Sequence, residues 1–191
     1  MLRLLVVDLA SFNPAATRAA LLGAGCDVAA VLTDGAGLAA AAADCRPDLV
    51  LVDAERPDAA LLAQLAALHR DEPRPVVLFT RDDAPETIRE ALRSGVCAYV
   101  VEALEGRRVK AAIAVARARF EDYQALRREL DEFSRKLAER KLLEKAKGLL
   151  MKARGLDEEG AYHALRRLAM ERSQPMAAVA QDVIAMARLL L

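Results

Sequence analysis

The chain has 191 residues, a formal net charge of zero, 54% hydrophobic residues and 4% aromatic residues. This length accommodates one domain of about 120 residues and a smaller second one, and the apolar content excludes a disordered chain. No apolar run approaches the roughly 18 residues that span a bilayer, so we expect a cytoplasmic protein that makes no membrane contacts.

The cysteines and histidines give no pattern of a metal or redox site. Cys26, Cys45 and Cys97 are widely spaced without a CxxC motif, and His69 and His163 have no ligand-like spacing. Buried, reduced thiols are the expected state of such cysteines. We therefore expect no metal ion and no cofactor.

Five short apolar runs alternate with helical patterns in the first hundred residues. Strands are predicted over 2–8, 26–32, 49–53, 76–80 and 98–101, and helices over 14–24, 37–44, 59–69 and 85–94. Because the strands are continuously apolar, both faces of their sheet should be covered by helices. The pattern predicts an α/β domain over residues 1–120 with a doubly wound, five-stranded parallel sheet.

Polar residues end four of the five predicted strands. They are Asp8, Asp53, Thr80 and Glu102. The carboxyl ends of parallel strands meet at the edge where this class of sheet binds ligands. These four residues are therefore the candidate site of the first domain.

A long helix is predicted to begin at Gly106 and to continue past residue 130. Its apolar residues follow a spacing of three and four after the first: Val115, Tyr123, Leu126, Leu130, Phe133 and Leu137. This spacing predicts a coiled-coil linker over residues 115–140 that joins two copies in a homodimer. A solitary amphipathic helix lying on its own domain is the alternative.

The stretch 134–154 concentrates positive charge that the neutral total hides. It carries eight basic and two acidic residues, or +6, whereas residues 1–133 sum to −5 and residues 155–191 to −1. A phosphate chain responds to the local field within roughly 10 Å, so this stretch is a candidate polyanion-binding surface. A solvated helix normally mixes charges of both signs, and this stretch does not.

The C-terminal residues 134–191 read as three short helices that form a small all-α domain. In the basic helix, Lys141, Lys145, Gly148 and Lys152 fall on one stripe away from most leucines. Gly155 is expected to end this helix, and Asp157 to cap the next, which should run to about residue 171. The third helix is expected to start after Pro175.

The first domain resembles the receiver domain of two-component response regulators, which has a flavodoxin-like fold. Asp53, in LVLVDAERPD, stands at that family's phosphorylated aspartate, and Thr80, in VVLFT, at its switch hydroxyl. Leu9, however, replaces one of two adjacent acids that hold Mg²⁺, and Glu102 replaces a lysine that pairs with the phosphoryl group. The resemblance therefore implies a pseudo-receiver with a degenerate phosphorylation site, controlled by a sensor protein or histidine kinase partner.

The C-terminal domain is similar to the ANTAR domain, an RNA-binding antitermination module. The motifs are ERKLLEKAKGLLM, AYHALRRLAM and MAAVAQDVI, with matches at Ala146, Lys147, Gly148, Leu150, Met151, Ala161, Leu165, Arg166, Val179 and Ala180. Together with a coiled linker and a degenerate receiver, it looks most like the regulators of nitrate-assimilation operons or the amidase operon antiterminator.

The resemblance implies that a dimer holds paired hairpins in leader mRNA and so prevents a terminator hairpin from forming. No covalent chemistry is implied, and we expect no catalytic residue and no enzyme activity. The expected RNA-binding residues are Arg140, Lys141, Lys145, Ala146, Lys147, Gly148, Met151, Lys152, Arg154, Tyr162 and Arg166.

Several of these residues also have a purely structural interpretation. Gly148 permits close approach of RNA or close packing against the third helix, and Met151 contacts a base or fills the core. Tyr162 and Arg166 stack on a base or lie on the surface. Two other functions stay open: a DNA-binding regulator with a helix-turn-helix, and an adaptor that binds protein alone.

Overall fold

A computed structural model describes residues 1–10, 14–23, 25–101 and 106–189. The chain divides into two compact units, Met1–Gln124 and Ala125–Leu191. Each unit has its own hydrophobic core. Within the described part of the chain, no helix is both long enough and apolar enough to cross a membrane.

The first unit contains a parallel sheet of five strands in the order β2-β1-β3-β4-β5. All five strands begin and end where the apolar runs predict. They are β1 (Leu2–Asp8), β2 (Cys26–Leu32), β3 (Leu49–Asp53), β4 (Val76–Thr80) and β5 (Ala98–Val101). The prediction of a doubly wound parallel sheet is confirmed.

Helices cover both faces of this sheet, which explains why the strands are apolar throughout. The helices are α1 (Pro14–Gly23), α2 (Leu38–Cys45), α3 (Ala59–Asp71), α4 (Pro85–Arg93) and the start of α5 (Gly106–Arg154). Leu21 of α1 and Ile113 of α5 pack on one face. Leu38 of α2, Leu65 of α3 and Ala91 of α4 pack on the other.

The long helix predicted from Gly106 is a single α-helix, α5, of 49 residues. Val109, Ala112, Ile113 and Ala116 pack into the core of the first unit. The Tyr123 ring lies on the His69 ring of α3, with 5.0 Å between their centroids. Beyond this contact, the side chains of α5 are largely exposed up to Arg140.

The second unit consists of the end of α5 and two shorter helices, α6 (Glu158–Arg172) and α7 (Met176–Leu189). Gly155 has φ of +64° just after α5, and the Asp157 carboxylate accepts a hydrogen bond of 2.8 Å from the Gly160 amide. Both features are as predicted. The core is built from the buried residues Ala146, Leu150, Ala161, Leu165, Ala169, Val179, Ala180 and Ile184.

Candidate functional site

The carboxyl edge of the sheet brings Asp8 and Asp53 side by side. The two residues are register partners on β1 and β3, and Asp8 is 3% exposed. Leu9, whose amide donates a 2.7 Å hydrogen bond to the Asp53 carbonyl, directs an apolar side chain outward. Glu102 lies outside the described residues. Among the described residues, Asp8 and Asp53 are therefore the adjacent carboxylates of this edge.

Thr80 is buried at the same edge, and its hydroxyl already has two partners. Thr80 Oγ1 donates to the Glu55 carbonyl at 2.9 Å and accepts from the Asp82 amide at 3.2 Å. These bonds hold the loop after β4 against the loop after β3. Thr80 thus serves as a structural link in this conformation.

The environment of Asp53 disfavours its ionised form. Partial burial, and then the negative charge of Asp8, raises the pKa of Asp53 to about 6, while Arg81 opposes this increase. Desolvation and a like charge both favour the neutral carboxyl. The site consequently disfavours additional negative charge.

The described residues of this edge provide two carboxylates, Asp8 and Asp53, and an apolar Leu9 where receiver domains place a second acid. Mg²⁺ requires octahedral oxygen coordination, usually anchored by carboxylates. Among the described residues, no group of three His, Cys, Asp or Glu side chains is placed to hold a metal. Leu9 has no oxygen atom in its side chain, so it removes the ligand that receiver domains place beside Asp8.

Replacing Asp53 with asparagine should stabilise the protein at pH 7.5 by about 1–2 kcal/mol, with partial exposure taken into account. The pKa of Asp53 in the folded chain is raised to about 6. The Asp53 side chain therefore contributes its full stability below about pH 4, and this contribution is lost as the pH rises through 6. The advantage of Asp53→Asn should therefore shrink towards pH 4. Thermal and urea unfolding at both pH values measure it. The exposed Asp44→Asn is the control, and a benefit independent of pH would contradict the assignment.

In the second unit, the structure sorts the eight basic residues of 134–154 into paired and unpaired groups. Arg135 pairs with Glu139 at 2.9 Å, Lys136 with Glu132 at 2.8 Å, and Lys147 with Glu144 and Glu158. Five cations make no ion pair with any residue that the structure describes, and all five are exposed: Arg140, Lys141, Lys145, Lys152 and Arg154. These five residues are the unpaired cations.

The unpaired cations lie on two sides of α5. Lys141, Lys145 and Lys152 form the predicted stripe with Gly148, at spacings of four, three and four. Arg140 and Arg154 lie seven residues on either side of Lys147 and therefore share its side of the helix. The predicted RNA-binding residues thus separate into two groups instead of forming one face.

Lys147 does not match the expected role of a free cation for phosphate. Its side chain is 11% exposed, and Nζ lies 2.6 Å from Glu158 Oε1 and 2.9 Å from Glu144 Oε1. Hydrogen bonds to Glu158, and then to Glu144, raise the pKa of Lys147, so it stays charged and neutralised. Lys147 joins α5 to the first turn of α6, a role that depends on the packing of two helices.

Ala146 is also misplaced in the sequence-based prediction of RNA contacts. It is 0% exposed and belongs to the core of the second unit. Because no atom of its side chain reaches the surface, Ala146 supports the helix packing and does not contact a ligand directly. Its match to the ANTAR motif reflects a packing requirement.

Gly148 is not required for packing against the third helix. A Cβ built at this position meets no atom within 4 Å. A glycine inside a helix costs about 1 kcal/mol relative to alanine, and no packing contact with a described residue recovers that cost. The open space lies in the lysine stripe, where close approach of a ligand backbone or base is possible.

Met151, Tyr162 and Arg166 are all exposed, with 37% of Met151 and 42% of Tyr162 accessible to solvent. Tyr162 and Arg166 follow Glu158 at one-turn spacings, so they continue the side of α6 that contacts Lys147. The Tyr162 ring also contacts the His163 ring edge-on, with 5.9 Å between centroids. Met151 is not part of the core.

Glu158 is the residue of this region that the sequence pattern did not single out for its contacts. Its position in the first turn of α6 predicts only a favourable interaction with the helix dipole. The structure shows that it is the partner of Lys147, and the Lys147 ammonium lowers the pKa of Glu158. No sequence spacing indicates a pair across two helices and their connecting loop.

The last helix offers little for reading DNA bases. Met176, Ala177 and Ala178 at its start are partly buried, and Val179 and Ala180 are buried in the core. A recognition helix requires exposed polar or basic side chains near its N-terminus. The geometry of α7 therefore argues against a helix-turn-helix.

Comparisons with known proteins identify relatives of the second unit and of most of the chain. The ANTAR domain model matches residues 131–184. The transcriptional regulatory protein PdtaR of Mycobacterium tuberculosis is 32% identical over 139 residues, which span 73% of this chain and 68% of that protein. The nitrate regulatory protein of Klebsiella oxytoca is 37% identical over 75 residues, 39% of this chain and 19% of that protein.

The first unit has structural relatives among receiver domains. The signal receiver domain of a modulated diguanylate cyclase from Desulfovibrio desulfuricans superimposes with a TM-score of 0.55 and 25% identity, covering 63% of this chain and 97% of that one. The PdtaR match is more than twice as long as the ANTAR match and so extends into this unit. The chain therefore belongs to the ANTAR-domain family of transcriptional regulators and carries a receiver-like N-terminal domain.

Proposed function

We propose that this protein is an RNA-binding transcription antitermination regulator that holds paired hairpins in nascent leader mRNA. Two ANTAR units of a homodimer each bind one hairpin, which prevents a competing terminator hairpin from forming. The observation that carries this proposal is the stripe of three exposed, unpaired lysines, Lys141, Lys145 and Lys152, with the open Gly148 on the same side of α5. The protein makes and breaks no covalent bond in this function.

Electrostatics support an RNA phosphate chain as the ligand of this surface. Lysine and arginine that neutralise phosphates release condensed counterions, which supplies a large share of nucleic-acid affinity. Ion pairs neutralise three of the eight basic residues, whereas the lysine stripe makes no ion pair with any described residue. The stripe spans three helical turns, and it is anchored by a buried core on the opposite side of α5.

The preference for RNA hairpins over duplex rests on Gly148 and its exposed neighbours. Sequence-specific RNA recognition targets loop bases that are unstacked and reachable, because the deep major groove of duplex RNA is closed to side chains. The missing side chain at Gly148 admits a loop base or backbone between Lys145 and Lys152. Tyr162 and Arg166 offer stacking planes on the other side of the domain.

Replacing Gly148 with alanine should stabilise the folded chain but weaken hairpin binding. Removal of the helix glycine adds about 0.5–1 kcal/mol of stability, and hairpin affinity should fall roughly tenfold if RNA approaches the backbone here. Thermal unfolding and RNA titration measure the two effects. Gly160→Ala is the control. The added Cβ would lie 2.8 Å from Asp157 Oδ1, so this alanine should destabilise the folded chain. Unchanged RNA affinity would remove Gly148 from the interface.

Four large apolar side chains on α5 that are exposed to solvent support dimerisation through this helix. Leu126, Leu130, Phe133 and Leu137 are 55–68% exposed and repeat at spacings of four, three and four. This is the seam of a short parallel coiled coil. Tyr123, predicted to belong to this seam, instead contacts His69 of its own unit.

Control by a partner protein follows from the degenerate edge of the receiver-like domain. Leu9 occupies the position of a metal-binding acid, and the Asp53 pocket disfavours negative charge. A phosphoryl group on Asp53 would add charge without the compensating cation. A sensor protein or kinase that binds the receiver-like surface is therefore the source of the signal.

The test is binding of the full chain to RNA hairpins with a fixed stem and a randomised loop. A loop-free RNA duplex and a DNA duplex of the same length serve as controls, across a salt series. We expect tighter binding to hairpins and a steep loss of affinity with salt. Equal binding to all three nucleic acids would contradict hairpin recognition, and no binding would favour a protein adaptor.

A further inference from the structure

The second unit contains an apolar cleft that the function proposed above does not use. It has a volume of about 610 Å³ and lies between the last turns of α5, the end of α6 and the exposed side of α7. Leu150, Leu168 and Val183 line it, and the flexible side chain of Met186 is 55% exposed beside it. Small-molecule sites have volumes of roughly 300–1,000 Å³, so the cleft admits a planar ring.

The rim of this cleft is positively charged. Lys152 and Arg154 contribute two unpaired cations from α5. Arg172 donates a 3.0 Å hydrogen bond from Nη1 to Asp182 Oδ2, which orients the guanidinium and leaves this pair neutral. The cleft therefore combines an apolar interior with a net positive border.

Lys152 connects the cleft to the lysine stripe. It is the last member of the stripe that begins at Lys141, and it also lines the cleft. A phosphate chain that follows the stripe reaches the cleft at the C-terminal end of α5. The nucleotide bound there would place its base beside the apolar interior.

We propose that this cleft receives an unpaired base of the bound RNA while the neighbouring cations hold its phosphates. This inference rests on the proposed RNA-binding function and assigns the base-reading part of it. An unstacked base has apolar faces and an attached phosphate, which match the apolar interior and cationic rim. The Arg172 guanidinium provides a plane for stacking, and the Asp182 carboxylate can accept a hydrogen bond from an amino group of a base.

Methyl NMR on the wild-type full chain tests the contact directly. The methionine ε-methyl groups are labelled, Met186→Leu assigns the signal, and the RNA is the hairpin most enriched from the randomised-loop pool. We expect nuclear Overhauser contacts between the Met186 methyl and base protons. Met170, which is 71% exposed on α6 and does not line the cleft, should show none.

A matched pair of variants tests the energetic role of the cleft. Ala187 lines the cleft, whereas Ala185 is exposed on the same helix and does not. Ala187→Trp should weaken hairpin binding at least tenfold, leaving duplex affinity and the salt slope unchanged. Ala185→Trp should bind hairpins as the wild type does.

The outcomes separate this inference from the proposed function. Salt-dependent hairpin binding without Met186 contacts, or with unchanged affinity of Ala187→Trp, would overturn the base site and leave RNA binding intact. Contacts from Met186 to protons of another chain, detected without RNA in a sample that mixes differently labelled chains, would assign the cleft to a second copy and also overturn it. Failure of the wild-type chain to bind any hairpin would contradict both.

Discussion

Reversing Lys141 and Lys145 to glutamate should reduce hairpin affinity by roughly 100-fold at physiological salt, because two phosphate contacts become two repulsions. The slope of log affinity against log salt should become shallower by about 1.5–2. Both side chains are exposed and make no ion pair among the described residues, so folding should be unaffected. RNA titration across a salt series and circular dichroism measure the two quantities.

The double variant Arg135→Glu/Lys136→Glu is the matched control. It changes the net charge by the same four units on the same helix, but its residues are already paired with Glu139 and Glu132. We expect a much smaller loss of affinity and a minor loss of stability. Equal losses in the two double variants would show that net charge, and not the stripe, determines binding.

Lys147 also belongs to the ANTAR-like motif, but reversing its charge is not a suitable test of phosphate contacts. A glutamate there would place a third carboxylate beside Glu144 and Glu158, both of which lie within 2.9 Å of the ammonium. The three carboxylates would repel one another and weaken the contact between α5 and α6. A loss of RNA binding by such a variant would therefore not distinguish a lost phosphate contact from a weakened domain.

Replacing Leu130 and Phe133 with aspartate should convert the proposed dimer of two 20.7 kDa chains to a monomer. Two charges in the apolar seam of a short coiled coil remove the burial that stabilises it. Affinity for a tandem hairpin should fall by about 10²- to 10⁴-fold relative to the wild type, because the second binding event is no longer intramolecular. Affinity for a single hairpin should change little.

Mass from light scattering at micromolar concentration, together with titration of single and tandem hairpins, measures this effect. Met170→Asp is the control, because Met170 is 71% exposed on α6 and lies outside the seam. A wild-type chain of monomeric mass would disprove dimerisation through α5. A dimeric mass of the double variant would place the dimer contact elsewhere.

The sequence was sufficient to predict the fold class because its signals are local. Continuous apolar runs bounded by Gly, Pro and Asp predicted all five strands to the residue, as in Leu49–Asp53 and Val76–Thr80. Parallel strands that are buried on both faces appear in a sequence as nearly continuous apolar runs. The Asp157 cap and the left-handed Gly155 were equally predictable, because each depends on a single residue type at a helix end.

The candidate RNA site was predictable only as a charged stretch. Composition showed a balance of +6 over 134–154 but could not show which charges are neutralised. Helical spacing identifies the pairs of Arg135 and Lys136 with acids four residues away, and it identifies the lysine stripe. It cannot identify Glu158 as the partner of Lys147, because that contact requires α6 to fold back on α5.

The sequence alone thus determined the alternation of strands and helices, the ends of the strands and the concentration of basic residues on α5, since each depends on neighbours within a few residues. Only the tertiary structure decided that Lys147 and Ala146 support packing, that Gly148 faces open space, and that an apolar cleft adjoins Lys152. These properties depend on how separate helices pack, and packing joins residues that sequence spacing does not relate.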